Sequence, residues 1–315
     1  MNTPTTATPN GPVVTLLDGG MGQELIRRSS ADKPHKLWSL KVMLDEPQLV
    51  SSVHRDFCLA GARIACLNTY SVTRHRLTLA EDLPSLESLL ESAADLAQAG
   101  IEASGMTGVD LIGSLPPLTA SYLQESPLDH AQIVAEYEEL IRLQRSRLQG
   151  FIAETLPTIN EATAVLQAGL NAGVSIHLAL TVDDRDGTRL RSGEPLEDAL
   201  TAVIPLEPAS VLINCSTPEA TDQALPLLAG ATSLFGAYAN GFHSVEALKP
   251  GGTVDVLSAR EELTPEAYAQ WALRWVSDGA TIVGGCCEVS PEHIAHLHEQ
   301  LQHNGTVVSS LAARC

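Results

Sequence analysis

Eight short apolar runs alternate with longer amphipathic stretches along the chain, and this alternation limits the possible folds more than any composition figure does. The runs are Val13-Leu17, Ala62-Leu67, Val109-Ile112, Gly150-Glu154, Val174-Leu180, Ser210-Asn214, Ser233-Tyr238 and Thr281-Gly284. Most are apolar throughout, as strands covered on both faces must be. Repeated strand-helix units of this kind build a parallel sheet. Three helix starts are written out: Thr217-Pro218-Glu219, Thr264-Pro265-Glu266 and Ser290-Pro291-Glu292 each offer a capping hydroxyl, a proline for the first helical position and an acid for the first turn. Ile133, Val134, Tyr137, Leu140 and Ile141 form one buried stripe, and Trp271, Ala272, Trp275 and Val276 another, which makes both tryptophans packing residues. Eight units in 315 residues with 44% hydrophobic content predict a single-domain α/β fold, a (β/α)₈ TIM barrel over 13–303. A disordered N-terminal tail is expected at 1–12 and a C-terminal tail at 304–315.

In such a barrel the reactive groups sit at the C-terminal ends of the strands. The cysteines obey that rule. Cys215 follows the sixth run, and Cys286 and Cys287 follow the eighth behind Gly284 and Gly285. Three thiols meeting across the barrel mouth suit a catalytic Zn2+, which binds thiolates at about 2.3 Å and keeps one position free. Adjacent strand residues point to opposite faces, so the pair can share one ion only where the backbone leaves the pleat, and the two glycines supply that freedom. Cys58 and Cys66 read as small buried hydrophobes, and Cys315 as solvated. Six cysteines without paired spacing do not form a disulfide framework.

A formal charge of −19 repels a phosphate backbone, which argues against nucleic acid and anionic membranes as partners. No apolar run reaches the 18 or so residues of a membrane span, and Met1 to Pro12 lacks a basic region and an apolar core, so a cytoplasmic protein is expected. Monomer and homodimer both fit.

Further polar residues end the runs: Asp18 in Leu17-Asp18-Gly19-Gly20-Met21-Gly22, Asn68-Thr69-Tyr70 after the second, and Glu154 in the fourth. Two carboxylates near a thiol-bound metal suit a substrate bearing an ammonium group. A turn role for Asp18 and a structural ion pair for Glu154 are the alternatives. Gly19, Gly20 and Gly22 lack the G-x-G-x-x-G spacing and the Walker lysine of a phosphate loop. The long connections Gly19 to Glu46, Ser114 to His130 and Ala239 to Leu263 crowd the same face as candidate walls or lids. His243 and His293 read as surface or capping residues.

With Ser192-Gly193-Glu194-Pro195-Leu196 and Asn214-Cys215-Ser216-Thr217-Pro218-Glu219 added to these segments, the order and spacing of the motifs resemble the homocysteine S-methyltransferase family from about Val13 to His303. The resemblance implies a zinc-dependent barrel enzyme with Cys215, Cys286 and Cys287 as metal ligands and no catalytic group beyond the metal site. It implies homocysteine contacts from Asp18, Gly19, Gly20, Thr69, Glu154 and Asn214, and donor contacts from Trp38 and Tyr70. Trp38 as plain loop packing is the alternative. Glu288 departs from the family, many members of which have glycine or a small polar residue after the cysteine pair; it should point outward or meet a cationic donor. The implied reaction carries a methyl group from a sulfonium or ammonium donor, S-methylmethionine or S-adenosylmethionine first and betaine or dimethylsulfoniopropionate behind, to the homocysteine thiolate. A zinc-assisted lyase or hydrolase on the same barrel, or a zinc-binding thiol sensor without turnover, are the competing classes.

Overall fold

The computed structural model describes residues 11–31, 35–248 and 252–311. Residues 1–10 of the expected tail, and Cys315, lie outside them. The strands are β1 (Val13–Leu16), β2 (Ile64–Cys66), β3 (Asp110–Leu115), β4 (Gly150–Leu156), β5 (Ile176–Leu180), β6 (Ser210–Asn214), β7 (Phe235–Tyr238), β8 (Ile282–Val283) and β9 (Val307–Val308). All eight runs read from the sequence become strands. They lie side by side in the order β2-β3-β4-β5-β6-β7-β8-β1, every ladder parallel. The ring closes where the Arg63 N–H before β2 donates to the Leu16 carbonyl of β1 at 2.8 Å. The fold is a (β/α)₈ barrel.

The outer ring is built from α1 (Met21–Arg28), α2 (Ser39–Asp45), α3 (Pro47–Leu59), α4 (Arg74–Leu77), α5 (Leu86–Ser104), α6 (His130–Gln144), α7 (Ile159–Ala172), α8 (Leu196–Val203), α9 (Pro218–Ala231), α10 (Pro265–Ser277) and α11 (Pro291–His303). The three written starts hold: Thr217 and Thr264 accept from the backbone N–H of Ala220 and Ala267, and Ser290 caps α11 jointly with the His293 ring. Trp275 is fully buried, whereas Trp271 is half-buried and lies under the Arg274 guanidinium.

The tails differ from expectation. Val307 and Val308, placed in a C-terminal tail, pair with Val13 and Val14 as β9, and the Pro12 carbonyl accepts from the Val307 N–H. The edge of β1 that faces β2, left bare below the Arg63–Leu16 hydrogen bond, is the physical reason: an unpaired edge recruits a strand.

Ile64, Ile152, Leu212 and Ile282 come from alternate strands and fill the barrel interior with Ile112, Ala179 and Leu17. This layer is the floor on which the strand-end residues stand. Among the described residues no helix is long and apolar enough to cross a membrane.

Candidate active site

One pocket opens above this floor and is lined by Asp18, Gly19, Gly20, Trp38, Tyr70, Glu154, Cys215, Cys286 and Cys287, gathered from five strand ends and the first long connection. The other two long connections supply Ser121 and Tyr122, and Phe242 and Leu257. All three therefore wall the site.

The ladder of β8 stops at Val283, so Cys286 and Cys287 stand in irregular backbone where the alternation of a pleat no longer applies. Gly284 and Gly285 serve a different end from the one expected. Neither is left-handed; positive φ falls instead on Cys215 (47°) and Glu288 (65°). The glycines permit close packing, since a Cβ on Gly284 would strike Leu17 and one on Gly285 would strike Val289. A Cβ on Gly20 would strike the Cys286 carbonyl, so the Asp18 turn sits directly against the cysteine loop.

The sulfurs of Cys215, Cys286 and Cys287 lie within 4.8 Å of one another. They form the metal-capable cluster of the described residues. Cys215 and Cys286 are joined as a disulfide with Cα atoms 5.7 Å apart, leaving Cys287 as the free thiol of the three. This corrects the expectation of no disulfide: the strand ends bring distant sulfurs to bonding distance, which spacing in sequence cannot reveal. The donor set itself, three soft sulfurs facing a pocket, fits a thiophilic ion once the pair is reduced. Burial, with Glu288 and Glu154 nearby, pushes the Cys287 thiol up to about 12.

The two carboxyls share the pocket. Asp18 Oδ2 accepts from the Cys66 N–H at 2.8 Å, and Glu154 Oε1 accepts from the Ser114 hydroxyl. Burial raises Asp18 to about 8, aided by Glu154 and opposed by the Cys66 N–H; burial raises Glu154 to about 7, opposed by Ser114. Neither makes an ion pair among the described residues, so the structural reading of Glu154 falls away. The ladder between β4 and β5 shifts register between Ala153 and Leu156, and Thr155 is left-handed at φ 62°. That irregularity turns Glu154 inward.

Two expected substrate contacts do not line the pocket. Asn214 is fully buried, its amide donating to Thr155 Oγ1 at 2.9 Å and accepting from the Thr155 N–H at 2.8 Å, so it props up the irregularity beneath Glu154. Thr69 is also buried, its hydroxyl donating to the Ser114 carbonyl, while its neighbours Asn68 and Tyr70 face the pocket. Trp38 and Tyr70 do meet there edge to face, ring centroids 5.8 Å apart.

Other lining residues were not anticipated. Cys66, expected in the core, faces the pocket beside Asp18, because β2 ends with its side chain on the mouth side of the floor. Tyr238, at the end of β7, has a buried hydroxyl with no hydrogen-bond partner among the described residues. Both obey the strand-end rule that picked out Asp18. Arg76 and Tyr122 lie in the connections, where no periodic signal marks them.

A closed parallel barrel whose mouth joins a three-sulfur cluster to two buried carboxyls has the architecture of an α/β-barrel enzyme. The homocysteine S-methyltransferase family model matches residues 15–301, and the chain belongs to that family. It is similar to the homocysteine S-methyltransferase of Escherichia coli (strain K12), at 29% identity over 94% of this chain and 98% of that one. Homocysteine S-methyltransferase YbgG of Bacillus subtilis (strain 168) is 25% identical over 90% of this chain and 92% of its own. The E. coli homocysteine methyltransferase MmuM superposes in its metallated form (TM-score 0.74, 91% of this chain and 96% of that one) and its oxidised form (0.76, 95% and 100%), each 25% identical.

Proposed function

We propose that this methyltransferase moves a methyl group from a small sulfonium or ammonium donor to the sulfur of homocysteine, giving methionine, with Zn2+ held by reduced Cys215, Cys286 and Cys287. The observation that carries this reading is the shared pocket of three sulfurs and two buried carboxyls. Bound zinc supplies Lewis acidity that keeps a thiol ionised at neutral pH.

The chain's own residues do the rest. Asp18 and Glu154 ionise on receiving the substrate ammonium, since a neighbouring cation lowers a carboxyl pKa. The Tyr238 hydroxyl is free to take a further hydrogen bond. Gly19 and Gly20 lead into the positive N-terminus of α1 and flank the substrate carboxylate. Trp38 offers a ring face to the cationic end of the donor, and Tyr70, edge to face with it, borders the rest of the donor. The acceptor sulfur contributes the electron pair of the new S–C bond while the donor's C–S or C–N bond breaks and its electrons neutralise the leaving group. Charge disappears in that step, so a pocket that excludes water favours it, and the grips at each end align the three reacting atoms. S-methylmethionine and S-adenosylmethionine are the favoured donors, betaine-type compounds the alternative.

The test is methionine formation from homocysteine across a panel of these donors, with reduced enzyme stripped of metal and then resupplied with zinc. Zinc-dependent methionine formation with at least one donor is expected. Donor turnover that needs no thiol acceptor would identify a lyase or hydrolase instead, and zinc and homocysteine binding with no product under any donor would identify a sensor.

A further inference from the structure

We propose that Arg76 is the carboxylate receptor of the donor subsite, so that the methyl donor is a sulfonium or ammonium compound that itself carries a carboxylate. The proposal rests on the methyl-transfer reading and assigns a residue to it that the motifs do not mark.

Arg76 belongs to α4, whose start is capped by Thr73, and its side chain lines the pocket. Its guanidinium carbon lies 5.1 Å from the centroid of the Tyr70 ring. Nη2 donates to Ser121 Oγ at 3.3 Å, and the same Ser121 oxygen lies 2.8 Å from the Tyr70 hydroxyl. Arg76, Ser121 and Tyr70 thus form one connected wall from the connections after β2 and β3. Among the described residues Nε is buried without a hydrogen-bond partner and Arg76 makes no ion pair, whereas Arg74 beside it is engaged by Glu139 at 2.6 Å. The acid facing it from α7 is Glu161, outside ion-pair distance, whose buried carboxyl is raised to about 7 and so carries only part of a charge at neutral pH. The other basic side chains lining the pocket, His35 and Lys36, are exposed at its mouth.

A permanent positive charge against Tyr70 repels a bare methylated cation approaching that ring. The same charge attracts a donor whose negative end reaches the guanidinium while its positive end lies toward the sulfurs. Arginine suits the task because its fork pairs with both carboxylate oxygens and never loses its proton. Asp18 and Glu154 already face the ammonium end of the amino-acid acceptor, so the carboxylate preference falls on the donor.

The experiment compares S-methylmethionine with its carboxamide, and glycine betaine with its carboxamide, in the zinc-loaded enzyme, in Arg76→Met and in Arg76→Lys, with Arg74→Met as a surface control. Steady-state kinetics and calorimetric binding of the same four probes are both read. In the wild type at least one carboxylate compound should outcompete its amide by about 10- to 100-fold, the range of a charge-assisted hydrogen bond. Arg76→Met should erase that preference by raising KM and Kd for the carboxylate compound alone, leaving the amide and the KM for homocysteine unchanged, and Arg76→Lys should recover part of it. Equal handling of acid and amide by the wild type overturns the proposal. So does a loss in Arg76→Met that falls equally on both probes, as for a structural strut, or on homocysteine. If no donor yields methionine, the methyl-transfer reading fails on its own, and the binding data still decide whether Arg76 selects a carboxylate.

Discussion

The Glu288 carboxylate accepts a 2.6 Å hydrogen bond from the side-chain amide of Gln23, and the oxygen of that amide takes the Trp38 indole N–H at 3.1 Å. Glu288 is therefore half-buried and engaged within the chain instead of pointing outward, one of the two positions expected for it. It acts through Gln23 on the orientation of an aromatic wall. Glu288 and Trp38 both have positive φ, at 65° and 48°, backbone that costs a side chain about 1 kcal/mol or more and that glycine adopts freely.

Glu288→Gly should consequently leave the fold as stable as before or slightly more so, while releasing Gln23 and the indole. A donor KM raised about 5- to 10-fold, an unchanged homocysteine KM and an altered Trp38 emission are expected. Glu288→Gln, which keeps the oxygen acceptor, should restore most of the loss. A Glu288→Gly enzyme with wild-type donor kinetics would refute the relay.

Reduction of the Cys215–Cys286 disulfide should control metal binding at the three sulfurs. Wild-type protein treated with a thiol reductant and then zinc should retain one equivalent of metal by elemental analysis, while protein with the Cys215–Cys286 disulfide intact should retain none. Each of Cys215→Ala, Cys286→Ala and Cys287→Ala should lower the affinity by about 100-fold or more, since a structured site with two sulfurs is a poor zinc ligand set. Retention by the Cys287→Ala protein at wild-type affinity would remove that residue from the set.

The pH dependence of stability follows from Asp18. Its carboxyl is raised on folding from 3.8 to about 8, so the native state holds a proton that the unfolded chain has released. That contribution is complete below about pH 4 and is lost as the pH climbs to about 8. Asp18→Asn removes the titration, so the metal-free variant should melt higher than the metal-free wild type at pH 8, by roughly 5 °C, with the gap closing toward pH 4. Homocysteine affinity should fall at the same time. Calorimetry of both proteins across that range reads the first, and titration with homocysteine the second.

Asp184 and Arg191 form a bidentate pair at 2.8 and 2.9 Å with both side chains about 5% exposed. Asp184 also accepts from the backbone N–H groups of Thr217 and Val245, and the Arg191 guanidinium lies 5.4 Å from the Tyr122 ring centroid. The pair ties together four connections around the mouth, one of them two residues from Cys215. Asp184→Ala leaves Arg191 buried and uncompensated, a cost of about 3–5 kcal/mol. A melting temperature lowered by roughly 10 °C, with weaker zinc retention, is the expected result.

The barrel was legible because its signals are local. Apolar runs such as Ser210-Asn214 and cap-proline-acid triplets such as Thr264-Pro265-Glu266 state their structure within a few residues. The strand-end rule then carried the reading to Asp18, Glu154 and the three cysteines, all of which the structure brings to one pocket. Thr69 and Asn214, which the resemblance implied as substrate contacts, do not line that pocket, since which way a strand-end side chain turns depends on the register of its neighbours. Asn214 is held by the irregularity at Thr155, a feature that depends on the β4–β5 pairing.

The amino-acid order by itself thus determined the number of βα units, their closure into a barrel and the end of it that bears the chemistry, because periodicity and capping are properties of adjacent residues. Only the tertiary structure decided that Cys66 and Tyr238 face the pocket, that Cys215 and Cys286 are joined as a disulfide, and that Glu288 reaches Gln23. Those relations join residues far apart in the chain. They depend on strand register, on glycines that let two turns touch and on a few left-handed residues, all of which are fixed only when the ring closes.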